Sequence, residues 1–118
     1  MSLSTLHPGL AYGAGISTED LTSGQFVKLS GADLFSKVTN ATDRAFGVVY
    51  RDVVSGDYVT VYTQGGVYEI ETFTAGIIAG DELEVNPTTS LLQKKVDGIS
   101  VGVALSSTST ELKFKLTI

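Results

Sequence analysis

The chain has 118 residues, a formal net charge of −5 and a pI near 4.6. Hydrophobic residues make up 42% and charged residues 18%, which is enough apolar material for one domain core and excludes a disordered tail. With no cysteine and a single histidine, His7, there is almost no raw material for disulfides, thiolate metal sites, thiol nucleophiles or histidine triads. The acidic balance argues against a grip on nucleic acid phosphates.

The first stretch, Met1–Gly24, shows no alternation and little charge. It carries Gly9, Gly13, Gly15 and Gly24, the dipeptide His7-Pro8, and scattered apolar residues Leu3, Leu6, Leu10, Tyr12 and Ile16. No Lys or Arg precedes Lys28, so the basic region of a secretory signal is missing and folding in a cytoplasm is expected. An arm rich in glycine yet studded with apolar residues is a candidate to order against a partner. Packing on its own barrel is the competing reading, favoured for Ile16 to Leu21. Ser17–Leu21 reads as a short helical turn, with Ser17 or Thr18 as cap and Glu19 and Asp20 in its first turn.

From Gln25 onward the period is two. Tyr68 and Ile70 alternate with Val67, Glu69 and Glu71. Leu83 and Val85 alternate with Glu82 and Glu84, and Leu112, Phe114, Leu116 and Ile118 with Lys113, Lys115 and Thr117. Each such run has one face for a core and one for water or a partner. Ser30-Gly31-Ala32-Asp33 is expected to join Phe26–Leu29 to Leu34–Val38. Gln64-Gly65-Gly66 is expected to form a hairpin between Tyr58–Thr63 and Val67–Thr72, and Asp97-Gly98 one between Leu91–Val96 and Ile99–Leu105. Asn86-Pro87 ends the strand Glu82–Val85. The expectation is an all-β chain of about eight or nine short strands in a compact barrel or sandwich, divided into an N-terminal arm, residues 1–22, and a β-barrel domain, residues 23–118. No apolar stretch approaches the roughly 18 residues that span a bilayer, so no membrane partner is expected.

A faint repeat runs through the chain. Ser23-Gly-Gln-Phe-Val-Lys-Leu29 resembles Ala79-Gly-Asp-Glu-Leu-Glu-Val85, and Ala45-Phe-Gly-Val-Val49 resembles Ser100-Val-Gly-Val-Ala104. Ser55-Gly-Asp-Tyr-Val-Thr-Val61 repeats the turn once more. The pattern fits two similar half-barrels, and it also fits the general appearance of a glycine-turn β protein.

Candidate chemistry is thin. There is no phosphate-binding glycine loop with its lysine and no nucleophile elbow, and Gly13-Ala-Gly15 is not followed by a dinucleotide-binding unit. His7 lies beside a proline near the chain start, where no packing would hold a catalytic base. The pairs Glu69/Glu71 and Glu82/Glu84 fall on strand faces with neither calcium-loop spacing nor an aromatic sugar platform, and read as a solvated or intersubunit face. No catalytic residue, metal or cofactor is expected. If Val59 and Val61 face the core, Tyr58 and Tyr62 face out and are candidate interface anchors.

The order of these elements, from Ser23-Gly-Gln-Phe through Ala45-Phe-Gly-Val-Val, Ser55-Gly-Asp-Tyr, Ala79-Gly-Asp-Glu and Ser100-Val-Gly-Val to the strand Leu112–Ile118, resembles the small head-decoration, or capsid cement, proteins of tailed bacteriophages. The likeness covers about residues 23 to 118 and lies in the order of turns. It implies a β-tulip or barrel-like fold, no enzymatic activity, and a place on the outer capsid surface of the virion. It implies the major capsid protein of the same phage as partner, with neighbouring capsid subunits clamped in the expanded head. It also implies self-association, a homotrimer foremost, with a dimer or monomer in solution as alternatives. On that reading the arm residues Leu3, Leu6, Pro8, Leu10 and Tyr12 are the capsid-binding candidates, and Met1 to about Gly13 is mobile until bound. Tyr58, Tyr62, Glu69 and Glu71 are the candidate subunit contacts. Another phage structural module, or a carbohydrate-binding β module, is the alternative; the absence of Trp speaks against sugar binding.

Overall fold

The computed structural model describes residues 3–40 and 42–118, with the side chains of Gly13 and Ala14 left aside. All regular structure among them is strand: β1 (Leu3–His7), β2 (Leu10–Ser17), β3 (Phe26–Gly31), β4 (Leu34–Lys37), β5 (Gly47–Val49), β6 (Tyr58–Gln64), β7 (Val67–Ile70), β8 (Glu82–Val85), β9 (Leu92–Lys94), β10 (Gly102–Ser107) and β11 (Leu112–Leu116). β2-β4-β3-β5-β6 close into a five-stranded barrel, and β1-β7-β11-β10-β8-β9 form a six-stranded sheet. Alternation explains how one set of barrel strands serves two cores. Val27, Val49, Val59 and Val61 point into the barrel with Leu21 and Phe35. Their neighbours Phe26 and Val48 point out of it and pack with Tyr68, Leu83, Leu92, Leu112 and Phe114 of the sheet.

The repeat is real in three dimensions. β2 to β6 and β7 to β11 are two five-strand units with the same neighbour order, β4-β3-β5-β6-β2 and β9-β8-β10-β11-β7. Equivalent hydrogen bonds recur: Gly24 N–H to Val49 O at 2.9 Å and Gly80 N–H to Ala104 O at 2.8 Å; Thr18 N–H to Phe35 O at 2.9 Å and Thr74 N–H to Leu92 O at 3.0 Å. Gly24, Gly56 and Gly80 have φ of 91°, 92° and 91°, the left-handed turn each copy of the motif needs. The first unit closes and the second stays open, with β1 laid along β7 as an extra strand.

Several expectations are corrected. The nine strands from Phe26 onward match the count read for that region, but the segment read as an arm supplies two more. β1 pairs with β7, and β2 pairs with β6 and β4. The division at residue 22 therefore does not follow the strand pairing; Met1 and Ser2 lie outside the described residues. Ser17–Leu21 is not helical. Ser17 ends β2, the Ser17 hydroxyl accepts from Glu19 N–H, and Leu21 bridges Val53. Gly65 and Gly66 take positive φ, 60° and 92°, but they carry the chain from the barrel to the sheet and not round a hairpin. Asp97-Gly98 makes no hairpin either, because β9 and β10 lie on opposite sides of β8. β3–β4, by contrast, is the antiparallel hairpin expected, with Asp33 at φ 56° in its turn.

Candidate functional site

The expected capsid-binding residues are spread along β1 and the start of β2. Leu3 is buried, and its N–H donates to Ser23 Oγ at 2.9 Å, so that N–H points away from β7. Leu6, Pro8 and Leu10 are exposed. Tyr12 is half-buried against the barrel, edge-on to Phe35 and Phe46 with centroids 5.8 and 5.6 Å away. Its hydroxyl donates to Asp33, and this bond to a carboxylate raises its pKa, with desolvation adding to the rise. Tyr12 is thus a packing residue of its own barrel.

The expected subunit contacts separate as well. Tyr58 is 73% exposed and faces outward, as expected. Tyr62 is not: the outside of the barrel at that point is covered by the sheet. Its ring sits 5.5 Å from Tyr50 and 5.1 Å from Tyr68, and Thr5 Oγ1 donates to its hydroxyl at 3.4 Å. Glu69 lies on β7 opposite Ser4 and Lys113, and Glu71 is exposed just beyond that strand. Among the described residues no hydrogen bond or ion pair joins Tyr58 to either glutamate, and no three His, Asp or Glu side chains converge as metal ligands.

The two sheet edges are unlike. β9 is three residues long; Thr74 N–H bonds to it, and its Lys94 and the adjoining Lys95 reach Asp81 and Glu82 at 4.0 Å. Short, covered and charged edges resist further pairing. β1 is five residues long, has no Lys, Arg, Asp or Glu, and beyond Leu3 carries no hydrogen bond on its outer side among the described residues.

Two features escaped the sequence. Glu84 is expected with Glu82 on a solvated or intersubunit face, yet it is buried within its own chain. Gln93 Nε2 donates to its carboxylate at 2.5 Å, Val96 N–H at 3.1 Å and Gly98 N–H at 2.7 Å. Burial pushes this carboxyl up, but the three donors and nearby Lys95 outweigh it and hold the pKa below its ordinary value. Its counterpart in the repeat is Lys28, which grips Asp43 at 2.9 Å while Asp43 also accepts from Thr39 and Asn40 N–H. Each unit therefore ties down its loop from the same strand position with opposite charge. A signal existed: the motif alignment sets Lys28 against Glu84. The second feature is an open groove of about 790 Å3 where the two units meet, lined by Leu10, Leu29, Phe46, Ile99 and Ile118 together with Arg44. Its walls come from both units, so no local pattern announces it.

Three comparisons bear on this geometry. Residues 13–116 match the family model described as phage cement protein. No curated protein matches the chain. Among solved structures, the head fiber gp8.5 N base of bacteriophage phi29 aligns with a TM-score of 0.65 at 16% identity, over 92% of this chain and 93% of that one, a likeness of fold.

Proposed function

Because the chain belongs to the phage cement protein family, and is a structural protein of the phage head, we propose that it stabilises the expanded capsid by clamping neighbouring copies of the major capsid protein from outside, with no enzymatic step. The observation that carries this reading is the unguarded outer edge of β1. An exposed ladder is a template for an added strand, in which main-chain hydrogen bonds supply affinity and alternate side chains supply specificity. Leu6 stands exposed on that strand, and Pro8 follows its end, where no ladder donor is needed. The arm is thus a strand already held by its own sheet, which lowers the ordering cost of adding a capsid strand. Self-association as a trimer belongs to the same reading, with Tyr58, Glu69 and Glu71 at the contact and Tyr62 supporting the strand behind it.

One substitution separates edge pairing from fold. Leu3 N–H faces away from β7, so the N–H two residues on, at Thr5, faces the same way. Thr5→Pro removes that outward donor and leaves the pairing to β7. Because Thr5→Pro also deletes the Thr5 Oγ1 bond to the Tyr62 hydroxyl, Thr5→Val, which deletes that bond and keeps the N–H, is the control. The proline variant should melt about 4 °C below the parent, as expected for about 1 kcal/mol, and close to Thr5→Val. Its binding to expanded heads that lack the protein should weaken about tenfold or more. Parent-like binding by a folded Thr5→Pro variant overturns edge pairing.

A further inference from the structure

The groove between the two units leaves apolar surface open that the chain's own packing does not use. Leu10 is 59% exposed, Leu29 47% and Ile99 41%, and they stand around one cleft with Phe46 and Ile118. Scattered exposed leucines need no explanation, but several gathered in one concavity mark a contact surface. The only charged side chain on its walls is Arg44, which makes no ion pair among the described residues. The neighbouring acid, Asp43, is already satisfied by Lys28 and two backbone N–H groups. In a chain of net charge −5, an exposed guanidinium beside an apolar cleft is a local reversal of sign. Its fork matches a carboxylate.

The cleft falls within the roughly 300–1,000 Å3 of small-molecule sites, but such sites enclose their ligand around buried polar groups. Here the polar residues, Gln64 and Thr117 among them, are at or near the surface, where they can meet the main chain of a bound segment.

We infer that this groove is a second docking site, for an extended peptide segment of the capsid shell that carries apolar side chains and one acidic residue paired with Arg44. The inference rests on the capsid-binding reading and adds a contact away from the β1 edge. Two contacts on one chain would let a single copy bridge two capsid segments.

The test uses the full-length protein and purified expanded heads lacking it. Binding by the parent is measured first; its absence sinks the capsid reading itself and leaves the groove without its premise. Given parent binding, Arg44→Glu should weaken it about tenfold or more, and Arg44→Lys no more than about threefold, as for a charge pair at an interface. Ile99→Ser, at an exposed position, should weaken it about fivefold through lost apolar contact. All three variants should melt like the parent. A photo-crosslinker at Leu29 should capture a capsid peptide containing Asp or Glu among apolar residues. Unchanged head binding by folded Arg44→Glu and Ile99→Ser overturns the inference. So does a change in oligomeric state with head binding intact, which would make a second copy the occupant, or capture of a non-peptide ligand alone.

Discussion

The two five-strand units share strand order, turn chemistry and hydrogen-bond positions, yet one is a closed barrel and the other an open sheet. The difference lies mainly in one strand of each. β2 runs for eight residues, with irregular register between Leu10 and Ala11 and between Tyr12 and Gly15, so its end lies antiparallel to β6 and parallel to β4 at once, with Ile16 opposite both Tyr58 and Leu34. Gly15 is required where it crosses: a Cβ there would stand 1.8 Å from the Phe35 ring. β7 has four residues, and after it the chain reaches β9 through the Thr74 bond. Closure thus depends on strand length and one missing side chain more than on the core pattern, which the units share. The open unit is the one that presents an edge, through β1.

The largest expected losses are in the cores. Phe35 of the barrel and Leu92 of the sheet occupy equivalent positions, and both are fully buried. Phe35→Ala should cost about 4 kcal/mol and Leu92→Ala about 3 kcal/mol, measured by urea denaturation. If the units unfold independently, Phe35→Ala should split the transition in two. A single transition shows that Phe26 and Val48, shared between barrel and sheet, tie the two together.

Next come the paired glycines of the repeat. A Cβ on Gly47 would meet Tyr62 O at 2.3 Å and Val61 Cγ1 at 2.4 Å, whereas one on Gly102 would meet Lys115 O at 2.7 Å. Gly47→Ala should destabilise by about 3 kcal/mol and Gly102→Ala by about 1 kcal/mol. Equal losses in thermal melts would show that the closed unit is no more tightly packed than the open one.

The glycine turns, the strand count after Phe26 and the repeat were legible in the sequence because each is a local matter of φ preference or period two. The hairpin expected at Gly65-Gly66 was not, since positive φ suits a crossover as well as a turn. Nor was Glu84: alternation puts it opposite Leu83, and only the fold of loop 94–98 over that face makes the face an interior. Of the candidate contacts, Tyr58 was read correctly as outward, while Tyr62 faces away from the barrel into a sheet that the pattern of one strand cannot reveal.

A further expected effect, smaller than the core losses, sharpens the Lys28–Glu84 contrast. Glu84 is held below its ordinary value of 4.5, so it stabilises the fold above that pH, and the contribution is lost as pH falls through the depressed value. Asp43, also lowered, chiefly by its bond from Lys28, behaves in the same sense. Glu84→Gln should cost about 2 kcal/mol at neutral pH and flatten part of the acid limb of stability. Adding Asp43→Asn should flatten it further. An acid limb unchanged in the double variant would show that other carboxylates dominate acid unfolding.

By itself the sequence determined that the chain is β from Phe26 onward, where the glycine turns at Gly24, Gly56 and Gly80 fall, and that one motif recurs, because these depend on neighbours within a few residues. Only the tertiary structure decided which copy closes, that the first residues become strands, which sheet edge is left free and where the groove opens. Those outcomes come from pairings between residues far apart in the chain, such as Leu3 with Ile70 and Ile16 with Leu34. A strand's alternation specifies that it has a buried face, and it is the strand's partner across the sheet or barrel that fixes what covers that face.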